Sequence, residues 1–264
     1  MAKVVSVCNQ KGGVGKSTTA VNVGSYFAMA GKRTLLVDLD AQGNATICCG
    51  VDRARVRSTV HSVIVDGMPI DRIITRTALE MLDVAPSNVD LSQVDITIAD
   101  FEDREQILKR AFEPIASRYD LILLDCPPSL GLMTLNALIA SDGVLIPVQC
   151  EYLALEGLNA LIKAVDRVRQ SKNDRLQVLG IVLTMADFRT TLTQEVSKEV
   201  KEFFKELVFT TSIPRNIRLA EAPSFGKPIC LYDPHSSGAL AYDNLAKELM
   251  ERLFQEQNAG VAAQ

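Results

Sequence analysis

The sequence predicts an α/β fold: a doubly wound, mostly parallel, twisted sheet with helices on both faces. Three observations predict it. Short runs rich in Val, Ile and Leu alternate with longer stretches of helical period, the pattern of strands joined by crossover helices. The runs are apolar at nearly every position rather than at every second one, as strands buried on both faces require. The first run also passes through a glycine-rich loop directly into the first helical stretch.

The first strand is 4–8 (Val4-Val5-Ser6-Val7-Cys8), and the helix behind the loop is 16–30, apolar-periodic from Thr18 to Ala30. Strand 34–38 follows and ends on an acid, Asp38. Strand 81–85 and helix 104–117 precede Leu121-Ile122-Leu123-Leu124-Asp125, a second apolar strand with an acidic end. Leu130 to Cys150 is the most apolar stretch, but Asn136, Ser141-Asp142 and Pro147 interrupt it. It therefore reads as helix 134–141 and strand 144–148, not as a membrane span. Helix 155–170, strand 178–184, helix 193–207, strand 209–213 and helix 239–254 complete the alternation. There is no internal repeat and no low-complexity linker. The expected organisation is one domain over 1–254 and a flexible tail over 255–264.

Composition narrows the class. At 264 residues, 47% hydrophobic and 23% charged, the chain can build an ordinary core without staples. Its six cysteines show no C-x-x-C spacing and read as buried thiols in a reducing cytosol rather than a metal cluster. No charged segment followed by an apolar one opens the chain, so no signal peptide is expected and the location reads as cytoplasmic. The net charge of −4 argues against wholesale polyanion binding, so any nucleic-acid contact must come from a local patch.

The loop Gln10-Lys11-Gly12-Gly13-Val14-Gly15-Lys16-Ser17 carries the clearest chemistry. The general phosphate-binding pattern is G-x-x-x-x-G-K-[ST]; here Gln10 stands at the first glycine and Lys11 adds a second cation. Glycines let backbone N–H groups close around phosphate oxygens, and the helix N-terminus adds partial positive charge. Lys16 is placed for the β- and γ-phosphates and Ser17 for Mg²⁺. Asp125, at the end of an apolar strand, is a second candidate for holding Mg²⁺. In Asp38-Leu39-Asp40-Ala41-Gln42-Gly43-Asn44 a strand delivers two carboxylates, put on one face by a strand's period of two, into a glycine-containing loop where a cation and an attacking water need acidic partners. A turn or helix-cap role is the alternative for both.

Taken together these segments resemble the ParA/MinD superfamily with its deviant Walker A loop, and within it the chromosomal ParA branch, also called Soj. The loop 11–17 carries the resemblance first. Switch I is similar over Asp38-Leu39-Asp40-Ala41-Gln42-Gly43-Asn44-Ala45-Thr46. Asp125-Cys126-Pro127-Pro128-Ser129-Leu130, Glu151-Tyr152-Leu153-Ala154-Leu155-Glu156-Gly157-Leu158 and the stretch from Ile213 to Ser224 are similar to the same branch. The resemblance spans about residues 3–253. Two departures stand out: Ala41 replaces an expected Pro, and Ala186-Asp187-Phe188-Arg189 replaces a more usual Tyr-Asp-x-Arg.

The resemblance implies a P-loop ATPase that uses ATP and Mg²⁺, yields ADP, and forms an ATP-sandwich homodimer. Nucleotide-binding positions carried over are Lys11, Gly12, Gly13, Val14, Gly15, Lys16, Ser17, Thr18, Glu151, Met185, Pro214, Arg215 and Asn216. Lys11 would reach phosphates held by the other subunit, Asp40 would orient the attacking water, and Ser17, Asp38 and Asp125 would serve the metal. Glu151 is implied at the partner's ribose and 214–216 along the adenine. Further implied partners are double-stranded DNA, bound without sequence preference through Arg189 and Arg218, and a ParB-like protein. Chromosome or plasmid segregation, with association to the nucleoid, is the implied role.

Charge agrees with a local patch. Between 189 and 227 seven basic residues meet five acidic ones, a net of +2, which leaves −6 for the rest of the chain. Helix 193–207 puts Lys198, Lys201 and Lys205 on one side and four glutamates on another, which suits a solvated face and a DNA-facing one equally. Arg53, Arg55 and Arg57 read as surface, and His61 and His235 receive no role. Three rivals remain. A MinD-type membrane regulator is opposed by a tail without Lys or Arg, a poor lipid anchor, so no stable membrane association is expected. A metal-cluster carrier lacks placed cysteines. ParA-type positioning of a protein cargo stays open.

Overall fold

Seven strands form one sheet in the order β3-β4-β2-β5-β1-β6-β7, parallel throughout except for the short edge strand β3. The strands are β1 (Lys3–Val7), β2 (Thr34–Asp38), β3 (Thr75–Arg76), β4 (Leu82–Ala85), β5 (Leu121–Asp125), β6 (Gly143–Gln149) and β7 (Gln177–Thr184). The structure is a computed structural model and describes residues 1–152 and 154–259. Eleven α-helices are assigned among them: α1 (Lys16–Met29), α2 (Asn44–Cys48), α3 (Val60–Val65), α4 (Val94–Thr97), α5 (Ile107–Phe112), α6 (Leu132–Ala140), α7 (Ala154–Ser171), α8 (Thr191–Phe204), α9 (Ile217–Glu221), α10 (Ile229–Tyr232) and α11 (Ser237–Ala259). Helix α11 runs past residue 254, where the domain was expected to end; 260–264 of the expected tail, like Leu153 of the 151–158 motif, lie outside the described residues.

Each strand except the short edge strand β3 serves two cores, because alternate side chains face opposite sides. On one face Leu35, Val37, Ile122, Leu124, Ile146 and Ile181 pack with α3, α5, α6, α7 and α8, including Leu158, Leu161 and Val200. On the other Val5, Val7, Leu36, Leu121, Leu123 and Val182 pack with α1 and α11 through Val23, Phe27, Leu245 and Leu249. Each such side chain contributes roughly 1.5–3 kcal/mol when removed from water. This double cover explains why the strand runs are apolar throughout.

Two expected elements differ. The expected strand 209–213 is not a strand. The residues flanking it make isolated parallel bridges, Val208 with Ile181 of β7 and Pro214 with Ala186 just beyond β7, and the Phe209 and Ile213 N–H groups donate to the Ile181 and Leu183 carbonyls. Between them the Thr210 and Thr211 N–H groups donate to the Glu248 carboxylate of α11, each at 2.9 Å, so the ladder is interrupted. The expected helix 104–117 shortens to α5 and a 3₁₀ turn, Glu113–Ile115. Pro114 breaks the α pattern, since it has no N–H and its ring crowds the carbonyl four residues back. Asn136 bonds the Arg104 carbonyl and the Leu108 N–H and so fixes the late start.

The topology reverses beside β1, which lies between β5 and β6. Open α/β sheets place ligands at the carboxyl ends of strands near such a reversal. Those ends here carry the glycine loop (β1), Asp38 (β2), Asp125 (β5), Gln149 (β6) and Thr184 (β7), with Val7 and Asp38 both in register with Asp125.

Candidate functional site

The loop after β1 is held open by bonds to its neighbours. Asn9 donates to the Pro147 carbonyl at 2.7 Å and accepts from the Lys11 N–H at 3.0 Å. The Thr184 hydroxyl at the end of β7 donates to the Val14 carbonyl at 2.8 Å. Gly13 and Gly15 have φ of 76° and 88°, a region closed to most side chains. Gly15 ends the loop and α1 begins, aiming its first N–H groups into the turn. Lys16 is almost fully buried, and its ammonium donates to the Lys11 carbonyl at 2.9 Å. Burial holds its pKa below the ordinary value, opposed by the charges of Asp125 and Asp40.

Two cavities meet at this loop. One, of about 370 Å³, is lined by Gly12, Gly13, Gly15, Lys16, Ser17, Thr18, Asp40, Gln42, Asn44, Cys48, Pro128, Met185 and Pro223. The other, of about 240 Å³, shares Gly15, Thr18 and Met185 with it and adds Thr184, Ile213, Pro214, Arg215, Asn216, Leu219, Ala220 and Tyr242. The first carries the loop glycines, Lys16 and Ser17, donors of the phosphate-binding type; the second is walled in part by Ile213, Pro214, Leu219 and Ala220, which suit a flat base. Asn216 is locked by capping α9, accepting from the Arg218 and Leu219 N–H groups.

Behind the first cavity lie the strand-end acids. Asp38 and Asp125 are both completely buried. Asp38 accepts from the Thr46 N–H and hydroxyl at 2.8 and 2.7 Å and from the Asp40 N–H at 3.2 Å. Burial nevertheless raises its pKa to about 6. Neither Asp125 oxygen has a hydrogen-bond partner among the described residues, although the Ser17 side chain is near it. Burial, and then the charge of Asp38, push its pKa well above the usual range; Ser17 and Lys16 relieve this only in part. Asp40 lies beyond the end of β2, half-exposed, its carboxylate accepting from the Gln42 N–H at 2.9 Å. The expected common face of Asp38 and Asp40 is thus replaced by one buried and one cavity-facing acid, tied through the Asp40 N–H.

The expected residues divide into three groups. The loop glycines, Lys16, Ser17, Thr18, Asp40, Met185 and 214–216 line the joined cavities. Val14, Asp38 and Asp125 are buried around them. Lys11 and Glu151 line neither and form an ion pair with each other. Arg189 and Arg218 lie apart from both cavities. Arg189 is bidentate with Asp187, both contacts at 2.7 Å, and Arg218 meets Glu221 at 2.9 Å and Asp233 at 3.4 Å.

Sequence reasoning missed four supports. Thr46 holds Asp38, and Ser87 donates to the Asp40 carbonyl at 2.5 Å. Thr184 holds the loop. Arg53 donates to the Gln42 carbonyl at 2.6 Å and the Ala41 carbonyl at 3.4 Å. It lies against Gly43, where any Cβ would stand 2.8 Å from its Nε. Of these only Thr46 carried a signal, its place in the 38–46 motif.

Strand, glycine loop, Lys-Ser at a helix start and acid-ended neighbouring strands define a P-loop nucleotide-binding α/β protein. A family model described as an AAA domain matches residues 2–178. The sporulation initiation inhibitor protein Soj of Bacillus subtilis (strain 168) is 52% identical over 249 residues, covering 94% of this chain and 98% of that protein. The chromosome partitioning protein ParA of Myxococcus xanthus (strain DK1622) is 46% identical over 252 residues, 96% of this chain and 89% of that one. Among solved structures, a cobyrinic acid a,c-diamide synthase from Mycobacterium smegmatis with bound ADP and magnesium is 35% identical, with a TM-score of 0.83 and 96% of each chain covered. The chain belongs to the ParA/Soj family.

Proposed function

We propose that the chain is a magnesium-dependent partitioning ATPase, one catalytic unit over 1–254, which converts ATP and water to ADP and phosphate. Its ATP-bound homodimer holds double-stranded DNA without sequence preference, and hydrolysis stimulated by a ParB-like protein releases it. The chain would act in the cytoplasm, on the nucleoid. The observation that carries the reading is the convergence of the glycine loop, Lys16 and Asp40 on one cavity that continues into a base-sized one.

The roles follow from placement. Loop N–H groups and Lys16 bind the β- and γ-phosphates, and Met185 with 214–216 encloses the base. Asp40 sits at the cavity edge, free on its outer oxygen to orient water against the γ-phosphate. Among the described residues no group of three or more His, Cys, Asp or Glu is suited to a metal by itself. A cation here therefore has to share its shell with phosphate oxygens, as Mg²⁺ characteristically does. The unpartnered Asp125 carboxylate and the Ser17 hydroxyl fit that demand and would hold the ion. When bound, magnesium supplies charge neutralisation at the β- and γ-phosphate oxygens. Asp38 acts one step back, by fixing Thr46 and the Asp40 backbone.

Lys11 is engaged by Glu151 within its own chain. To act across a dimer as a trans cation it must exchange that carboxylate for the other subunit's phosphates, which ties its availability to dimerisation. Arg189 and Arg218, exposed though paired, remain the proposed DNA contacts, doubled by the dimer.

Four variants test this reading. Lys16→Ala should lose ATP binding, and Asp40→Ala should keep ATP while stopping turnover. Lys11→Ala should bind nucleotide as a monomer yet not hydrolyse it. Replacing Arg189 and Arg218 with Glu should remove DNA binding while leaving ATP-dependent dimer mass, by light scattering, unchanged. Wild-type turnover in the Asp40 variant would refute its role, and binding to liposomes in place of DNA would favour the membrane branch.

A further inference from the structure

A group of arginines with few carboxylate partners lies at the other edge of the sheet. Around β3 an open groove of about 570 Å³ is lined by Arg55, Arg57, Arg72 and Arg76 over a floor that includes Val56, Ile73 and Ile74. Its one acidic lining residue, Asp52, is already paired with Arg55 at 3.1 Å. Arg57, Arg72 and Arg76 are exposed and have no ion-pair partner among the described residues. Arg76 also lines a second groove of about 290 Å³ with Arg33 and Arg118. That groove holds two acids, Glu80 and Asp83, and Asp83 is engaged by the Tyr119 hydroxyl at 2.9 Å.

Six arginines thus face three carboxylates along two grooves joined at Arg76, a local net of +3 in a chain of net −4. The contrast with Arg189 and Arg218 is direct, since each of those is bonded to a carboxylate beside it. Exposed arginines held by no acid are costly neighbours for one another and favourable ones for phosphate, whose oxygens match the guanidinium fork. Two joined open grooves suit a ligand with repeated charges better than one small anion.

We propose that this arginine track along β3 is a second contact for the phosphate backbone of duplex DNA. The proposal rests on the reading of the chain as a DNA-binding ATPase and adds a surface that reading does not use. Such a contact is independent of sequence and strongly dependent on salt.

The test is fluorescence anisotropy of a short random-sequence duplex, titrated across salt with ATP and magnesium, on the full chain and its R57A/R72A/R76A variant. The variant should bind at least about tenfold more weakly, with the slope of log affinity against log salt reduced by roughly 0.9 for each phosphate no longer neutralised. Its DNA-independent ATP turnover and melting temperature should equal those of the parent. If the triple variant does not fold, Arg76→Ala alone should lower the slope by about one unit. Parent and variant binding with equal affinity and slope would overturn the proposal and leave the ATPase reading standing. A parent that binds no DNA in any nucleotide state would overturn both. Binding of polyglutamate by the parent but not the variant, with DNA binding unchanged, would assign the track to an acidic protein and overturn the proposal.

Discussion

Asp38 and Asp125 end adjacent parallel strands, stand in register, and are equally buried, yet the protein treats them oppositely. Asp38 is surrounded by three donors from Thr46 and Asp40. Among the described residues Asp125 receives none. A buried carboxylate without partners is among the costlier groups a fold can hold. The difference teaches that the first acid organises the loop that follows it, while the second is left unsatisfied at a cost in stability, as the metal-holding role proposed for it requires.

The largest test of the comparison is Asp125→Asn. It should lower ATP turnover by about 100-fold or more, the scale of one lost electrostatic stabiliser. In chelator, without nucleotide, the same change should stabilise the protein by about 1–3 kcal/mol in urea unfolding, because an unsatisfied charge is removed. That gain should depend on pH. Both carboxyls have folded pKa values above their ordinary 3.8, Asp38 near 6 and Asp125 higher. The native state therefore binds more protons than the unfolded chain in that window, and its stability falls as pH rises through it. The advantage of the Asn variant should accordingly grow as pH rises above about 4 toward the raised folded value of Asp125.

Asp38→Asn should act in the opposite direction. An amide N–H₂ cannot accept, so at least one donor is stranded, and stability should fall by about 1–3 kcal/mol. Equal signs for the two Asn variants would break the comparison. Thr46→Val removes one donor to Asp38 and the acceptor of the Ser87 N–H, and should cost about 1–2 kcal/mol with ATP affinity kept. Arg53→Ala is the smallest. Two bonds to the carbonyls beside Asp40 are removed, so kcat should fall about tenfold or less with KM for ATP unchanged. A change confined to KM would mean that Arg53 shapes the cavity rather than the Asp40 loop.

The parallel sheet, the glycine loop and the two acid-ended strands were legible because each is a contiguous pattern. The short elements α2, α3, α4, α9 and α10 were not, since four to six residues complete barely one helical turn and leave no period to read. The 209–213 segment has a strand's composition, but its outcome depends on Glu248, which no local pattern announces. Asp38 and Asp40 looked like a pair because spacing suggests a shared face, whereas β2 stops at Asp38 and frees the next residues from that alternation. The Lys11 pairing with Glu151 and the support of Arg53 bring together distant or loop-borne groups that spacing does not encode.

Glu248 has a consequence for how copies of this chain can associate. A bare sheet edge is a template on which another chain can add a strand, and such additions grow without limit. At the β7 edge the 208–214 segment lies alongside, and two of its own N–H groups are already taken by one carboxylate. At the other edge β3 is only two residues long. Neither side is an inviting seed for fibrous growth. The homodimer proposed above would then have to form through side chains, loops and bound nucleotide rather than by adding strands. For a protein proposed to gather and disperse on DNA, borders that do not seed strand addition matter as much as the active site.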